Sequence, residues 1–153
     1  MIDLFDELVL IANALDTNQI PYALVGGLAY SVWVELRATE DIDLLILPED
    51  WDRSRAVLAH LGYKEWALPM DFPNIRIRRL TKLVDRSALV LDFLLADGGL
   101  REGIEKRVQF HHKQRSFNVA PPNVIITLKE GRMSAKDRND IEGLRKLIER
   151  KEP

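Results

Sequence analysis

The sequence predicts a mixed α/β (α+β) domain in which helices pack on a single mixed sheet and further helices end the chain. The 153 residues are 46% hydrophobic, which is enough for one core and too few for two full-sized domains. Segments with helical and with strand-like apolar spacing alternate along the first half of the chain. We find no internal repeat, low-complexity segment or linker, so residues 1–153 are expected to form one domain.

The first half of the chain alternates helices with short apolar strands. Residues 3–18 repeat leucine and isoleucine at helical spacing, and this run ends before Pro21, which favours an amphipathic opening helix. The remaining elements predicted here are a strand at 22–25, a helix at 28–36, a strand at 42–47 and a helix at 49–61.

The second half of the chain begins with strands and ends with helices. Residues 75–78 alternate apolar and basic side chains, and residues 88–96 form a long apolar run, so both are predicted as neighbouring strands of one sheet. The remaining predicted elements are a helix at 98–106, strands at 108–112 and 117–119, a helix from Pro121-Pro122 to about residue 131, and a last helix at 134–150.

The charge balance excludes binding that is driven by bulk electrostatics. The formal net charge is -2, so any contact with nucleic acid must be local. The chain has no cysteine, which excludes disulfides and thiolate zinc sites. Its acidic start differs from a signal peptide, and no uncharged apolar run approaches the roughly 20 residues that cross a bilayer. We expect a cytoplasmic protein with no membrane contact.

Asp41 and Asp43 form an Asp-x-Asp pair at the start of the second predicted strand. Side chains two residues apart on a strand share a face, so both carboxylates point the same way. Two like charges about 4 Å apart repel by about 4 kcal/mol at an effective dielectric of about 20. A fold that holds them together therefore usually supplies a cation or a proton. The alternative is an exposed strand face on which both acids are solvated.

Asp92 interrupts the apolar run at 88–95. A lone ionised carboxylate on a buried strand costs several kcal/mol unless it is paired or bound to a metal. Two other interpretations remain open, namely a salt bridge to one of the arginines and a place on the polar face of an edge strand.

Val25-Gly26-Gly27 leads from a predicted strand toward a predicted helix. Such a turn lets backbone amides and a helix N-terminus approach a phosphate closely, although a glycine pair alone indicates only a tight turn. Asp41 follows Gly27 by fourteen residues, and Asp92 lies on a later strand. A glycine turn, an Asp-x-Asp and a later acid can together build a two-metal site that faces a triphosphate.

These residues resemble the nucleotidyltransferase fold of the DNA polymerase beta superfamily. The resemblance is carried by Gly26-Gly27, by Arg-Ala-Thr-Glu-Asp-Ile-Asp-Leu at 37–44 and by Leu91-Asp92. Within that superfamily, the sequence is most similar to minimal bacterial nucleotidyltransferases related to the AbiE-type abortive-infection toxins. These relatives end in a late lysine and a helix with basic and acidic residues, which residues 128–132 and 135–142 match. The resemblance covers about residues 20 to 148.

The resemblance implies a role for each matching residue. The catalytic carboxylates, which would also hold two Mg²⁺ ions, are Asp41, Asp43 and Asp92, and the third would help to accept the proton of an attacking hydroxyl. The phosphates of an NTP would be bound by Gly26, Gly27, Arg37, Thr39 and Lys129. Gly27 stands where serine is frequent in the family, which removes a side-chain donor and leaves the backbone amide. The alternatives are a solvated Lys129 and a Thr39 that caps local backbone.

The expected activity is the Mg²⁺-dependent transfer of a nucleoside monophosphate from an NTP to a hydroxyl acceptor. By resemblance, the acceptor would be RNA, tRNA ends in particular, or a tyrosine or serine of a partner protein within a toxin–antitoxin system. The alternative function is a non-catalytic or inhibitory binding module of a two-component toxin–antitoxin pair.

Basic and histidine residues give two further hypotheses. Adjacent His111 and His112 would face opposite sides of a strand, and His60 lies on a separate helix, so no shared metal ion is expected. A basic strip beside the carboxylates could hold the acceptor, or its members could simply be solvated. The strip would consist of Arg76, Arg78, Arg79, Lys106, Arg107, Lys113 and Arg115.

Overall fold

The computed structural model describes residues 3–35, 39–130 and 135–151. Short turns of 3₁₀ helix lie at Pro48–Asp50 and Gly98–Arg101. The α-helices and strands follow in the order α1 (Leu4–Thr17), β1 (Tyr22–Val25), α2 (Gly26–Trp33), β2 (Asp41–Ile46), α3 (Trp51–Ala59), β3 (Met70–Asp71), β4 (Arg76–Val84), β5 (Ser87–Leu95), α4 (Glu102–Glu105), β6 (Val108–His112), β7 (Arg115–Val119), α5 (Pro122–Glu130) and α6 (Ala135–Lys151).

All of these strands join one mixed sheet in the order β3-β4-β5-β2-β1-β7-β6. The pairs β2/β5 and β1/β7 are parallel, and the other neighbours are antiparallel. The central strand β2 ends in Leu44, Leu45 and Ile46, all of which are fully buried, because helices cover both faces of the sheet there. The predicted mixed α/β fold with one sheet and C-terminal helices is confirmed.

The two faces of the sheet are covered by different helices. On one face, Lys82 of β4 donates a hydrogen bond to Glu7 of α1 at 2.8 Å. On the other face, Leu45 of β2 lies against Gly103 of α4. Because alternate residues of a strand point to opposite faces, Asp43 shares the face of Leu45. The Asp-x-Asp pair therefore lies on the α4 side of the sheet, away from α1.

Local chemistry explains where several elements begin. Asp3 caps α1, since its Oδ1 accepts a hydrogen bond from the backbone N of Phe5 at 2.8 Å. Helix α2 begins at Gly26, two residues before the predicted start, because the chain turns within the glycine pair itself. The short strand β3 was not predicted, since two residues are too few to show a strand period. In the part of the chain that the structure describes, no helix combines the length and apolar character needed to cross a lipid bilayer.

Candidate functional site

The sheet brings the three predicted acids onto one face. Asp43 of β2 lies opposite Val25 of β1 on one side and opposite Asp92 of β5 on the other. Arg79 of β4 lies opposite Asp92 in turn. Residues directly opposite each other in neighbouring strands share a face, so Arg79, Asp92 and Asp43 form a row across the sheet. Asp41 lies two residues before Asp43 and adds a third carboxylate to the same face.

Asp92 is held by Arg79 through both carboxylate oxygens. Arg79 donates from Nε to Oδ1 at 2.8 Å and from Nη2 to Oδ2 at 2.9 Å, which is the forked geometry of a strong charge-assisted pair. Asp92 is only 7% exposed, so the guanidinium supplies the compensation that a buried carboxylate requires. The arginine salt bridge that the sequence left open is therefore present, and its partner is a residue that the sequence had placed in the basic strip.

The charges in this row act on one another. Burial raises the pKa of the Asp41 carboxyl above its usual value, and the negative charge of Asp92 raises it further, whereas Arg79 lowers it. The hydrogen bond to Asp92 raises the pKa of the Arg79 guanidinium, and the charges of Asp92, Asp41 and Asp43 add to this effect. The acids and Arg79 thus form one electrostatic cluster, in which Arg79 is a shared counter-ion.

The donor set suits a hard divalent cation. Carboxylate oxygens are the protein ligands that Mg²⁺ prefers, and Asp41, Asp43 and Asp92 present them from one face. In this structure, the carboxylate oxygens of these three acids do not all lie within 4.8 Å of one another. Among the described residues, only Asp3, Asp6 and His112 bring their ligand atoms that close together. Binding of one ion by all three acids of the row would therefore require a side-chain rotation.

The glycine turn lies directly beside the acids. Gly26 has a φ of +74°, and a side chain at this position would overlap the Asp43 carboxylate. At Gly27, an added Cβ would lie 3.0 Å from the hydroxyl oxygen of Thr39. The Thr39 hydroxyl therefore lies next to the turn and would crowd a side chain at position 27. The structure brings Gly26, Gly27 and Thr39 together with Asp43, whereas Arg37 lies outside the described residues.

Lys129 lies between helices in a buried ion cluster. Its Nζ is 2.7 Å from Asp140 Oδ2 and 3.8 Å from Asp137 Oδ1, and all three side chains are almost fully buried. The ammonium also lies 5.7 Å from the ring centroid of Tyr30 on α2, within the range of a cation–π contact. Lys129 is therefore not the solvated helix lysine of the alternative interpretation. Its contact with phosphate remains a prediction.

Replacing Gly26 by alanine is expected to destabilise the fold more than the same change at Gly98. Both glycines have positive φ, +74° and +53°, so each alanine should cost about 1–2 kcal/mol of backbone strain. Only at Gly26 does the new Cβ meet a neighbour, since Asp43 Cγ and Cβ would lie 2.9 and 3.0 Å away, whereas the site at Gly98 is open. We expect Gly26→Ala to lose about 1–3 kcal/mol more than Gly98→Ala in urea unfolding. Equal losses would show that the turn does not contact Asp43.

The predicted basic strip is divided between distant parts of the sheet. Strand β4 lies five strand positions from β6, or about 24 Å at the usual strand spacing. Acidic side chains also pair with members of the basic strip. A carboxylate oxygen lies within 3.1 Å of a side-chain nitrogen in each of Arg76, Arg78, Arg79 and Lys113. These residues therefore do not form one positive surface beside the carboxylates.

Of the histidines, His112 approaches acidic side chains. Its Nε2 is 3.4 Å from Asp6 Oδ1, and together with Asp3 these residues form the compact acidic group mentioned above. Lys113 also pairs with Asp6 at 3.1 Å, so a protein cation already offsets the charge of this exposed group. The group lies on the N-terminus of α1 and the β6/β7 hairpin, apart from the row on β2, β4 and β5.

Comparison with known proteins identifies the fold. No family model matches the chain, and no curated protein matches it significantly. Among solved structures, an antigenic nucleotidyltransferase-like protein from Paracoccidioides brasiliensis has 18% identity and a TM-score of 0.62, over 94% of this chain and 74% of that one. The lincosamide antibiotic adenylyltransferase LnuA, bound to lincomycin, has 18% identity and a TM-score of 0.62, over 93% and 96%.

A third similar structure matches the length of this chain. A candidate nucleotidyltransferase from Thermotoga maritima has 14% identity and a TM-score of 0.62, over 99% of this chain and 97% of that one. At these identities the similarity shows a shared fold. The chain thus has the nucleotidyltransferase fold that the resemblance implied, and these similarities do not single out the AbiE-type relatives.

Proposed function

We propose that this protein is a Mg²⁺-dependent nucleotidyltransferase that transfers a nucleoside monophosphate from an NTP to a hydroxyl acceptor. The observation that carries the proposal is the parallel register of β2 and β5, which sets Asp43 directly opposite Asp92. Two acids from distant parts of the sequence are thereby placed in one row, beside a glycine turn at the N-terminus of a helix. The similarity of fold to nucleotidyltransferases supports the same activity.

In this proposal, Asp41, Asp43 and Asp92 would hold the metal through their carboxylate oxygens. When bound, Mg²⁺ would offset the negative charge that gathers on the phosphoryl oxygens during transfer. The acceptor oxygen forms a bond to the α-phosphorus, the bond from that phosphorus to the bridging oxygen breaks, and pyrophosphate leaves. We propose that the Asp92 carboxylate accepts the proton of the acceptor hydroxyl, since Asp92 is the acid that does not belong to the Asp-x-Asp pair.

The triphosphate would lie against the glycine turn. The backbone amides of Gly26 and Gly27 begin α2, and the N-terminus of a helix favours anions. The Thr39 hydroxyl, next to Gly27, would supply the side-chain donor that a glycine lacks, and Arg37 would contribute from the same segment. A contact between Lys129 and phosphate would require its ammonium to leave Asp140. We therefore propose that, before any such contact, Lys129 acts on α2 through the contact of its ammonium with Tyr30.

The proposed acceptor carries a hydroxyl group that attacks the α-phosphorus of the NTP. RNA ends and the tyrosine or serine of a partner protein in a toxin–antitoxin pair remain our proposals, in a cytoplasmic setting. The fold neighbour LnuA is a lincosamide antibiotic adenylyltransferase, so a small hydroxylated molecule is a third class to include. A purely inhibitory module would neutralise its partner independently of Asp41 and Asp92, which separates it from the enzyme.

A labelling experiment tests the proposed reaction. The protein is incubated with each α-labelled NTP and Mg²⁺, together with separate RNA, protein and small-molecule fractions of a cell extract. We expect label in one fraction and its loss on addition of EDTA. Calorimetry with each NTP, with and without Mg²⁺, tests the site without an acceptor. If no NTP binds and no fraction is labelled, the proposed function is wrong.

A further inference from the structure

Arg79 engages the acid that β5 contributes to the proposed metal site. Its guanidinium binds both oxygens of Asp92, at 2.8 and 2.9 Å. A planar guanidinium that meets a carboxylate in this way uses a lone pair on each oxygen and neutralises the charge. A cation that coordinates Asp92 must therefore share these oxygens with Arg79 or displace it.

The position of Arg79 also gives it influence over the other two acids. Its guanidinium interacts electrostatically with Asp41 and Asp43 as well as with Asp92. A divalent cation held by the same three carboxylates would be repelled by the guanidinium at close range. The side chain of Arg79 is 38% exposed, whereas that of Asp92 is 10% exposed. The guanidinium can therefore turn toward solvent, while the carboxylate is fixed on its buried strand.

We propose that Arg79 competes with the divalent cation for Asp92 and thereby sets the metal affinity of the site. The inference rests on the proposed function, which assigns the three carboxylates to Mg²⁺. Arg79 is then a positioning residue that acts through Asp92. Arg79 holds the Asp92 carboxylate in place until the cation binds. It then releases at least one oxygen of that carboxylate. A purely structural salt bridge would instead leave metal affinity unchanged.

Arg76 provides a matched control on the same strand. Its guanidinium donates hydrogen bonds to both carboxylate oxygens of Asp97, each at 2.8 Å. The side chain of Arg76 is 39% exposed. Removal of Arg76 changes the net charge by the same amount as removal of Arg79, but it leaves the row of acids untouched. Any difference between the two variants therefore reports the interaction of Arg79 with the row of acids, in which its direct contact is with Asp92.

Mn²⁺ affinity of the full chain tests the proposal, measured by the loss of the free-ion EPR signal. We expect Arg79→Gln to bind Mn²⁺ about tenfold more tightly than the wild type, because a charge-assisted hydrogen-bond pair no longer opposes binding. Arg76→Gln should stay within about twofold of the wild type, since exposed charges are screened by salt. Mn²⁺ binding that is lost in Asp41→Asn and kept in Asp6→Asn upholds the metal site at the row of acids rather than at Asp3, Asp6 and His112. Where it does so, equal or weaker binding by Arg79→Gln would overturn the inference. No Mn²⁺ binding by the wild type or either variant would overturn the metal site together with it.

A second measurement uses the wild-type protein, in case Arg79→Gln does not fold. The Nε–H resonances of Arg79 and Arg76 are followed by ¹⁵N NMR during titration with Mg²⁺. The Arg79 resonance should shift as its bond to Asp92 Oδ1 is lost or shared, whereas that of Arg76 should not. An Arg79 resonance that is unchanged at saturating Mg²⁺ contradicts the competition.

Discussion

Replacing Asp41 by asparagine is expected to reduce nucleotide transfer by more than about 100-fold, since even outer-shell partners of metal ligands cost 10- to 100-fold. The same change should not destabilise the fold. Burial and the charge of Asp92 raise the pKa of the Asp41 carboxyl, so the folded protein disfavours the ionised form at pH 7. A neutral asparagine of similar size removes that unfavourable term. We expect lost transfer with an unchanged or higher free energy of unfolding, measured by the labelling assay and by urea titration.

Asp52→Asn is the matched control for this prediction. Asp52 lies on α3, and its side chain is 85% exposed in a surface pair with Arg55. The variant should keep full transfer and a free energy of unfolding within about 0.5 kcal/mol of the wild type. Near-normal transfer by Asp41→Asn would exclude a role for the Asp-x-Asp pair in the reaction. Lost transfer with a large loss of stability would point to a structural role instead.

Replacing Lys129 by methionine is expected to lower the free energy of unfolding by about 3–5 kcal/mol, because removal of one partner leaves a buried charge uncompensated. The ammonium lies 2.7 Å from Asp140, and that carboxylate is 1% exposed. Methionine keeps the length and apolar stem of lysine, so the loss would arise from the missing charge. Urea unfolding followed by circular dichroism measures the change.

A combined variant separates charge from packing at Lys129. Lys129→Met with Asp137→Asn and Asp140→Asn removes the buried carboxylates as well as the cation, and it should recover part of the lost stability. Lys146→Met is a surface control, since Lys146 pairs with Glu142 on α6 and its side chain is 62% exposed. If Lys129→Met behaves like Lys146→Met, the buried cluster does not stabilise the packing of α5 on α6.

The pairing of Arg79 with Asp92 could have been predicted from the sequence, although the strand pattern alone did not reveal it. Residues 85 and 86 form a two-residue hairpin turn, since Val84 pairs with Ser87, and Asp85 has a φ of +54°. Two-residue turns are the commonest hairpin connections and fix the register of both strands. Arg79 lies six residues before this turn and Asp92 six residues after it. Counting six residues outward on each side of a turn at Asp85-Arg86 therefore identifies Arg79 and Asp92 as partners.

The pairing of Asp43 with Asp92 could not be obtained in this way. Strands β2 and β5 are parallel, and parallel strands need a long connection that leaves their register undetermined by any local turn. Here the connection contains α3, β3 and β4. The burial of Lys129 likewise depends on how α5 packs on α6, and the division of the basic strip depends on strand order. Each of these results needs contacts between residues that are distant in the sequence.

The sequence by itself determined the kinds of most elements and the common direction of Asp41 and Asp43, because hydrophobic period and strand alternation are local properties of the backbone. It did not give the length of β4, which was predicted at 75–78 and spans Arg76–Val84, because the alternation of apolar and basic residues stops after residue 78. Only the tertiary structure decided that Asp92 completes the row, that the basic strip is divided, and that Lys129 is enclosed among acids. Those outcomes follow from sheet register and helix packing, which are set by the burial of apolar surface across the whole chain.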